Sequence, residues 1–460
     1  MALTPVHSTD SATSNRPTTV GSTMTTCRIS SLFDRSRRAR PSVASALLAG
    51  LVMATGLASA ADDDAALGLS SAPVEATPAT PSATRWFVEG AAGRTSGRNG
   101  APSKSLSRAS LDLLTSTTFG TGWRAVLSDR LDHQTPAETG RDATLNSLRE
   151  AYLGWSAEGG SNGVEFGRIN LRHGPSYGYN PTDFFRDGSL RTVTSVNPFS
   201  QRETRMGTFA LRGQRLWTGG SAALTLSPKL ADAPSGRAFD LDFGATNNRN
   251  RGLLTLNQQW GERVNTQLLL YKDAGLDVQP GASATALLSD SIVGHVEWSQ
   301  AREPSLADRA WGIPNHQRSG QRFTLGATWT TPSKLSLTLE RQHNGLALSN
   351  ADWNAVAAIN PALLGAYLLT AERRQDLASR DAWMLFATQP DLFIKHLDLT
   401  LFLRLNDADH SRLTYLELRH HWSQLDLALQ VQFNDGRSLS QYGLYPDRSI
   451  VQAVVSYHFR

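Results

Sequence analysis

Between Gln424 and Phe433 the chain reads QLDLALQVQF. Leu425, Leu427, Leu429, Val431 and Phe433 fall on one side of a period-two repeat, with Gln424, Asp426, Gln430 and Gln432 on the other. HLDLTLFLRL sets Leu397, Leu399, Leu401, Leu403 and Leu405 against Asp398, Thr400 and Arg404, and KLSLTLE sets Leu335, Leu337 and Leu339 against Lys334, Ser336, Thr338 and Glu340. Successive side chains of an extended strand point to opposite faces, so strict alternation predicts strands with one apolar and one polar face. Such segments recur near 85–92, 107–118, 121–131, 145–155, 162–170, 206–216, 219–228, 238–247, 251–260, 262–272, 287–299, 320–330, 334–343, 380–388, 395–405, 411–422, 424–433 and 449–459. That is about eighteen segments, each near the roughly 9–11 residues with which a tilted strand crosses a bilayer.

The connections fall into two kinds. FGTG, WTGG, TTPS and WSQ are tight, whereas 132–144, 171–205, 300–319, 344–379 and 434–448 are long. Short turns at one end and long loops at the other are expected of an outer-membrane barrel. A propeller would carry a blade repeat, and none is visible. A soluble sandwich accommodates a few one-sided strands but not this many leucine faces. A closed barrel places the apolar face on lipid and the polar face in the lumen and leaves no edge. The predicted fold is all-β: a transmembrane antiparallel barrel of 16–18 strands, since bacterial barrels favour even numbers. Trp86, Trp123, Trp155, Trp217, Trp260, Trp298, Trp329, Trp383 and Trp422 lie in or at the ends of these segments, as an interfacial girdle requires. Asn350–Ala378 lacks strict alternation and reads as a helix within an outer loop or, alternatively, as a further strand pair.

The N-terminus sets the compartment. RSRRARPSVASALLAGLVMATGLASA has a basic start, an apolar stretch from about Val43 to Leu57 and a small-residue end at Ala58-Ser59-Ala60, the layout of a secretory signal peptide. Residues 1–60 are assigned to it, with Met24 an alternative start. Residues 61–84, rich in Ala, Ser, Thr and Pro, form a flexible periplasmic lead-in, and 85–460 form the barrel. Cys27 falls in the signal peptide, so a mature chain cut after Ala60 has no thiol. A net charge of +4 includes the basic signal peptide and gives no case for nucleic acid. Lysine is confined to Lys104, Lys229, Lys272, Lys334 and Lys395, so arginine carries nearly all the positive charge.

The last segment, SIVQAVVSYHFR, aligns Val451, Ala453, Val455, Tyr457 and Phe459 on one face and resembles the terminal strand of Gram-negative outer-membrane proteins, with Arg460 after the aromatic residue. Taken together, Arg85 to Arg460 resembles outer-membrane porins and porin-like barrels. Gly167-Arg168 and Asn180-Pro181-Thr182-Asp183-Phe184-Phe185 resemble a group of little-characterised proteobacterial outer-membrane proteins in which a GR strand leads into an NPxDFF loop. The resemblance implies residence in the outer membrane among lipid and lipopolysaccharide, insertion by the outer-membrane assembly machinery, passage of a small hydrophilic solute, and homo-oligomer formation as an option.

The stretch 171–205 is the leading candidate for chemistry. Folded into the lumen, it would present Arg172, His173, Arg186, Arg191, Arg202 and Arg205 as a positive constriction with Asp183 and Asp187 opposing, and charged rings set pore selectivity. Pro181 and Pro198 stiffen it; Phe184, Phe185 and Phe199 would anchor it to the wall. The alternative is a loop packed at the surface, its arginines on neighbouring acids or lipopolysaccharide phosphates. On the polar strand faces, Glu340, Asp398, Arg404, Glu417, Arg419, His421 and Asp426 are lumen candidates, because charge is costly against lipid. His420 and His421 point to opposite faces and cannot chelate together. No cofactor or metal motif occurs. The leading function is a porin-like channel for small hydrophilic, anionic solutes. The alternatives are a loop-filled, non-conducting barrel in adhesion, envelope assembly or polymer export, and a rim hydrolase around His343 in RQHNGLALSN.

Overall fold

The structure, a computed structural model, describes residues 83–98, 100–313 and 316–459; the expected signal peptide with Met24 and Cys27, the expected lead-in up to residue 82, and Arg460 lie outside the described residues. Eighteen strands form one antiparallel sheet. In chain order they are β1 (Ala83–Gly97), β2 (Ser105–Phe119), β3 (Trp123–Thr135), β4 (Thr144–Ser156), β5 (Asn162–Ile169), β6 (Thr208–Trp217), β7 (Gly220–Ser227), β8 (Arg251–Trp260), β9 (Val264–Asp273), β10 (Gln279–Ser289), β11 (Ile292–Pro304), β12 (Gln317–Thr330), β13 (Ser336–Asn344), β14 (Asp381–Gln389), β15 (Leu397–Asn406), β16 (Arg412–His421), β17 (Leu425–Asp435) and β18 (Asp447–Phe459). Each strand pairs with its sequence neighbours, and β1 pairs with β18, Trp86 opposite Phe459 and Ser96 opposite Ser449. Closure leaves no row of unpaired N–H and C=O groups for lipid to meet.

The barrel is inside out relative to a soluble protein. On β17 the outward Leu425, Leu427, Leu429 and Phe433 are exposed, whereas the inward Ala428, Gln430 and Asn434 are buried by what fills the lumen. Trp86, Trp123, Trp155, Trp217, Trp260, Trp329 and Trp422 cluster toward the end with the short turns, and Trp86 stacks on Phe459 at 3.6 Å. The opposite end carries the long connections 170–207, 228–250, 305–316, 345–380 and 436–446. By the usual asymmetry, the short turns are periplasmic and the long loops external.

Seventeen of the predicted segments fall on strands, and the count of eighteen is met by two compensating errors. The segment 287–299 spans the tight turn between two strands, and β10 was missed. Its outward face is Pro280, Ala282, Ala284 and Ala286, too weakly apolar to register as alternation. The segment 238–247 is loop, ending in the short helix α2 (Phe243–Thr246). Phe239 and Leu241 alternate and are exposed, but this stretch meets β4 through only a few bonds, including Asn146 N–H to Ala238 O at 2.7 Å and Asp142 N–H to Gly236 O at 2.9 Å. The loop 228–250 was therefore unforeseen, and the loops expected at 300–319 and 434–448 are shorter, because β11, β12, β17 and β18 run further. The barrel wall begins at Ala83, inside the expected lead-in.

Of the stretch 350–378, residues 350–373 form two helices, which rules out the strand-pair alternative. After α1 (Pro198–Thr204), α2 and α3 (Leu306–Ala310), the chain forms α4 (Asn350–Ile359) and α5 (Pro361–Arg373). Ser349 and Asp352 close a capping box at the start of α4, and Asn360 with Pro361 starts α5. Trp353, Leu364, Tyr367 and Ala371 pack against Leu306 and Ala307 in a core of their own within the loops. The lipid-facing assignment has a direct test. Leu429→Arg should cost about 2–4 kcal/mol, the range for a cation near the bilayer midplane, measured by reversible unfolding in lipid; no loss would place Leu429 away from lipid.

Candidate functional site

The 170–207 connection leaves the wall and enters the lumen. Gly167 makes the departure feasible: its φ is +134°, and a Cβ there would stand 2.3 Å from Ala151 O. Arg168 is buried, its guanidinium donating to Leu148 O at 3.0 Å and Leu241 O at 2.7 Å. The GR pair is thus a hinge and a brace.

Two buried wall carboxylates receive the loop. Glu297 of β11 accepts from Ser176 N–H at 2.7 Å, Thr182 Oγ1 at 2.7 Å, Thr182 N–H at 3.2 Å and Asn180 Nδ2 at 3.1 Å. Glu340 of β13 accepts from Tyr177 N–H at 2.6 Å and Gly178 N–H at 3.0 Å, and also contacts Gln342 Nε2 and His295 Nε2. The carbonyls are met as well: Ser299 Oγ donates to Pro181 O, Thr324 Oγ1 to Tyr179 O and Arg404 to Gly178 O. A loop buried in a lumen must satisfy its backbone polar groups, and here side chains of β11, β12, β13 and β15 do so. Gly174, at φ +85°, lies so close that a Cβ would sit 2.2 Å from Glu297 Oε2.

The aromatic anchors behave as expected. Phe184 stacks on Tyr271 of β9 with centroids 4.6 Å apart, Phe185 meets the same ring edge-on, and Phe199 packs on Tyr177 and Phe386. The prolines and phenylalanines therefore serve one fixed shape.

Most of the predicted constriction charges are spent on fastening the loop. Arg205 pairs with Asp183 at 2.8 Å, both buried. Arg186 pairs with Asp376 at 3.1 Å, and Tyr179 OH donates to Asp376 at 2.7 Å. Asp187 lies between Arg249 at 2.8 Å and Arg374 at 2.7 Å. Burial opposes the charged forms of Asp183 and Asp376, but the guanidiniums of Arg205 and Arg202 around one, and of Arg322 and Arg186 around the other, hold both carboxyls below their usual values. Burial pushes His173 down to about 4, so it is neutral at neutral pH. Arg191 is buried on the carbonyls of Arg237 and Asp240 and does not line the cavity; Arg172 is exposed and also lies outside it. The single positive ring expected at 171–205 is therefore replaced by separate buried ion pairs.

Beside the loop lies a cavity of about 1030 Å³. Loop residues 177–205, α5, the 436–446 connection and the walls of β1–β3 and β15–β18 bound it. Arg202 and Arg404 line it and hold loop carbonyls: Arg202 donates to His173 O, Gly174 O and Ser176 O. Among the described residues, neither forms an ion pair with a carboxylate. Glu138, Glu372 and Asp447 line the same cavity from the long-loop end, and burial together with Glu138 pushes the Glu372 carboxyl up.

The predicted lumen residues divide by height. Glu340 and Arg404 touch the loop; Glu417 accepts from Tyr415 OH at 2.6 Å and Arg419 Nε at 2.9 Å; Asp398, His421 and Asp426 gather at the short-turn end. His343 bonds Asp381 at 2.9 Å and stacks on Phe323, while Ser349 is committed to its helix cap. Glu297 and Asp376 were missed. Glu297 carried a legible signal, an acid between the outward Val296 and Trp298 of an alternating strand.

Removing the Glu297 acceptor exposes its importance. Glu297→Ala strands the donors of Ser176, Asn180 and Thr182, each unsatisfied group costing roughly 1–3 kcal/mol. Added protease should then cut within 171–205 while the barrel stays intact, and Glu297→Gln should be cut more slowly. Equal resistance in all three proteins would remove Glu297 from the anchoring role.

No family model matches the chain, and no curated protein matches it in sequence. Solved structures do match in shape. The chain is similar to OccAB1 of Acinetobacter baumannii (TM-score 0.54, 10% identity, covering 84% of this chain and 99% of that one). It is similar to OccAB4 of the same organism (TM-score 0.53, 8% identity, 83% and 99%). It is also similar to a BenF-like porin from Pseudomonas fluorescens Pf-5 (TM-score 0.53, 8% identity, 82% and 98%). At these identities the likeness is one of fold: this chain has the transmembrane β-barrel fold of those proteins.

Proposed function

We propose that this chain is an outer-membrane channel through which small hydrophilic anions pass without energy input. The observation that carries the reading is the lumen-crossing loop, pinned by Glu297 and Glu340, beside a cavity of about 1030 Å³ that Arg202 and Arg404 line without a carboxylate partner. A width of 18 strands leaves room for water where loops do not fill it. Fixed cations then favour anions, with no moving part needed. The likeness in fold to a protein described as a BenF-like porin supports the reading. Insertion by the outer-membrane assembly machinery and contact with lipopolysaccharide follow from the same placement.

The non-conducting alternative has one observation in its favour: the loop is bonded along its length to the wall, as a plug would be. Planar-bilayer recording separates the two readings. The channel reading predicts discrete conductance steps and an anion-preferring reversal potential in a salt gradient. A unit charge about 4 Å from a passing ion is worth about 1 kcal/mol in water. Replacing Arg202 and Arg404 together by Gln should therefore shift the anion-to-cation permeability ratio by at least about fivefold toward cations. Absence of steps from well-folded protein would leave the filled barrel standing.

A further inference from the structure

At the short-turn end of the lumen, four successive strands each supply one titratable side chain: Asp398 on β15, His421 on β16, Asp426 on β17 and His458 on β18. Their inward direction follows from register. His421 shares a face with Glu417 and Tyr415, and Tyr415 OH meets Ser195 of the lumen loop. Asp426 lies opposite His421, and the exposed leucines Leu425 and Leu427 flank it on the other face.

The spacing is that of a connected row. His421 Nε2 stands 3.4 Å from Asp398 Oδ2, its Nδ1 3.0 Å from Asp426 Oδ1, and His458 Nε2 3.1 Å from Asp426 Oδ2. A neutral imidazole has one donor, so a ring with a carboxylate near each nitrogen is best matched to both neighbours when it carries two protons. The 390–396 turn faces the row with the His396 ring, which lies near Asp398, and with Asp391, whose N–H donates to Asp398 Oδ1 and whose Oδ1 accepts from His396 N–H. Arg419, on the same strand as His421, lies 3.9 Å from Asp426 and is bonded to Glu417 at 2.9 Å. His396, in the 390–396 turn, accepts the His421 N–H with its carbonyl, and Phe87 of β1 packs on His458. The four side chains keep 14–46% of their surface exposed, so mobile ions reach them.

We propose that this row is a pH-dependent charge filter at the mouth opposite the long loops. While protonated, His421 cancels one of the two aspartates. When it loses its proton, the mouth becomes more negative by one charge, and Arg419 does not compensate because Glu417 already holds it. Anion passage falls as pH rises on that side, and cation passage rises. The inference rests on the channel reading, and it assigns pH sensitivity to a place remote from the Arg202–Arg404 cavity.

The test is reversal potential in a fixed salt gradient, with pH stepped from about 5 to about 10.5, past the ordinary histidine range because two carboxylates neighbour this ring, on one side of the bilayer at a time. The wild-type potential should move toward cations when the short-turn side is made alkaline and should be insensitive to the other side. His421→Asn, which keeps a donor but does not titrate, should flatten the response, while His343→Gln, on the outer face, leaves it unchanged. Conductance with a pH response identical in wild type and His421→Asn overturns this inference and leaves the channel reading intact. A wild-type channel that conducts without any pH response overturns it equally.

Discussion

The architecture depends on two buried carboxylates meeting a stretch of loop backbone. A chain that leaves the wall and crosses a lumen carries its N–H and C=O groups away from any ladder, and orphaned groups are costly. Glu297 and Glu340 each accept several donors from residues 176–182, while Ser299, Thr324 and Arg404 satisfy the intervening carbonyls. Charge-assisted bonds of this kind are stronger than neutral ones. The wall thereby acts as the hydrogen-bond partner that a neighbouring strand would otherwise be, and the loop gains a fixed course.

Once that course is fixed, the electrostatics of the lumen follow. Arg186 and Asp187 fasten the loop to the 345–380 connection, Asp187 also to Arg249, while Arg205 and Asp183 close the loop on itself. What remains for a solute is the pair of arginines whose partners are carbonyl oxygens, Arg202 and Arg404, and a separate His–Asp row at the far mouth. On the proposed channel reading, selectivity would rest on these few side chains that make no direct ion pair, not on the total of charged residues in the loop.

How much of this was legible in the sequence depends on what the local pattern encodes. Leucine alternation on β15 and β17 reports the lipid face directly, because lipid demands it at every second position. The alanine face of β10 meets the same demand more weakly and was missed, while Phe239, Leu241 and Phe243 alternate in a stretch that follows a strand edge only briefly. Helices α4 and α5 were visible through the loss of alternation. The lumen loop was legible as a fixed, functional segment from its prolines and phenylalanines. Its anchoring partners were not, since Asp376 and Glu297 lie more than 100 residues away in sequence and nothing local records which donors they take.

The central claim, that wall carboxylates hold the loop across the lumen, is tested most directly by distance. The sequence holds one cysteine, Cys27, so in a Cys27→Ser background spin labels at Val193 on the loop and Gln452 on β18 can be introduced without interference. Pulsed electron resonance in lipid should give one narrow distance distribution for the parent barrel and a broad one when Glu297 and Glu340 are both replaced by Ala. A broad distribution in the parent, or an unchanged narrow one in the double variant, would contradict the account.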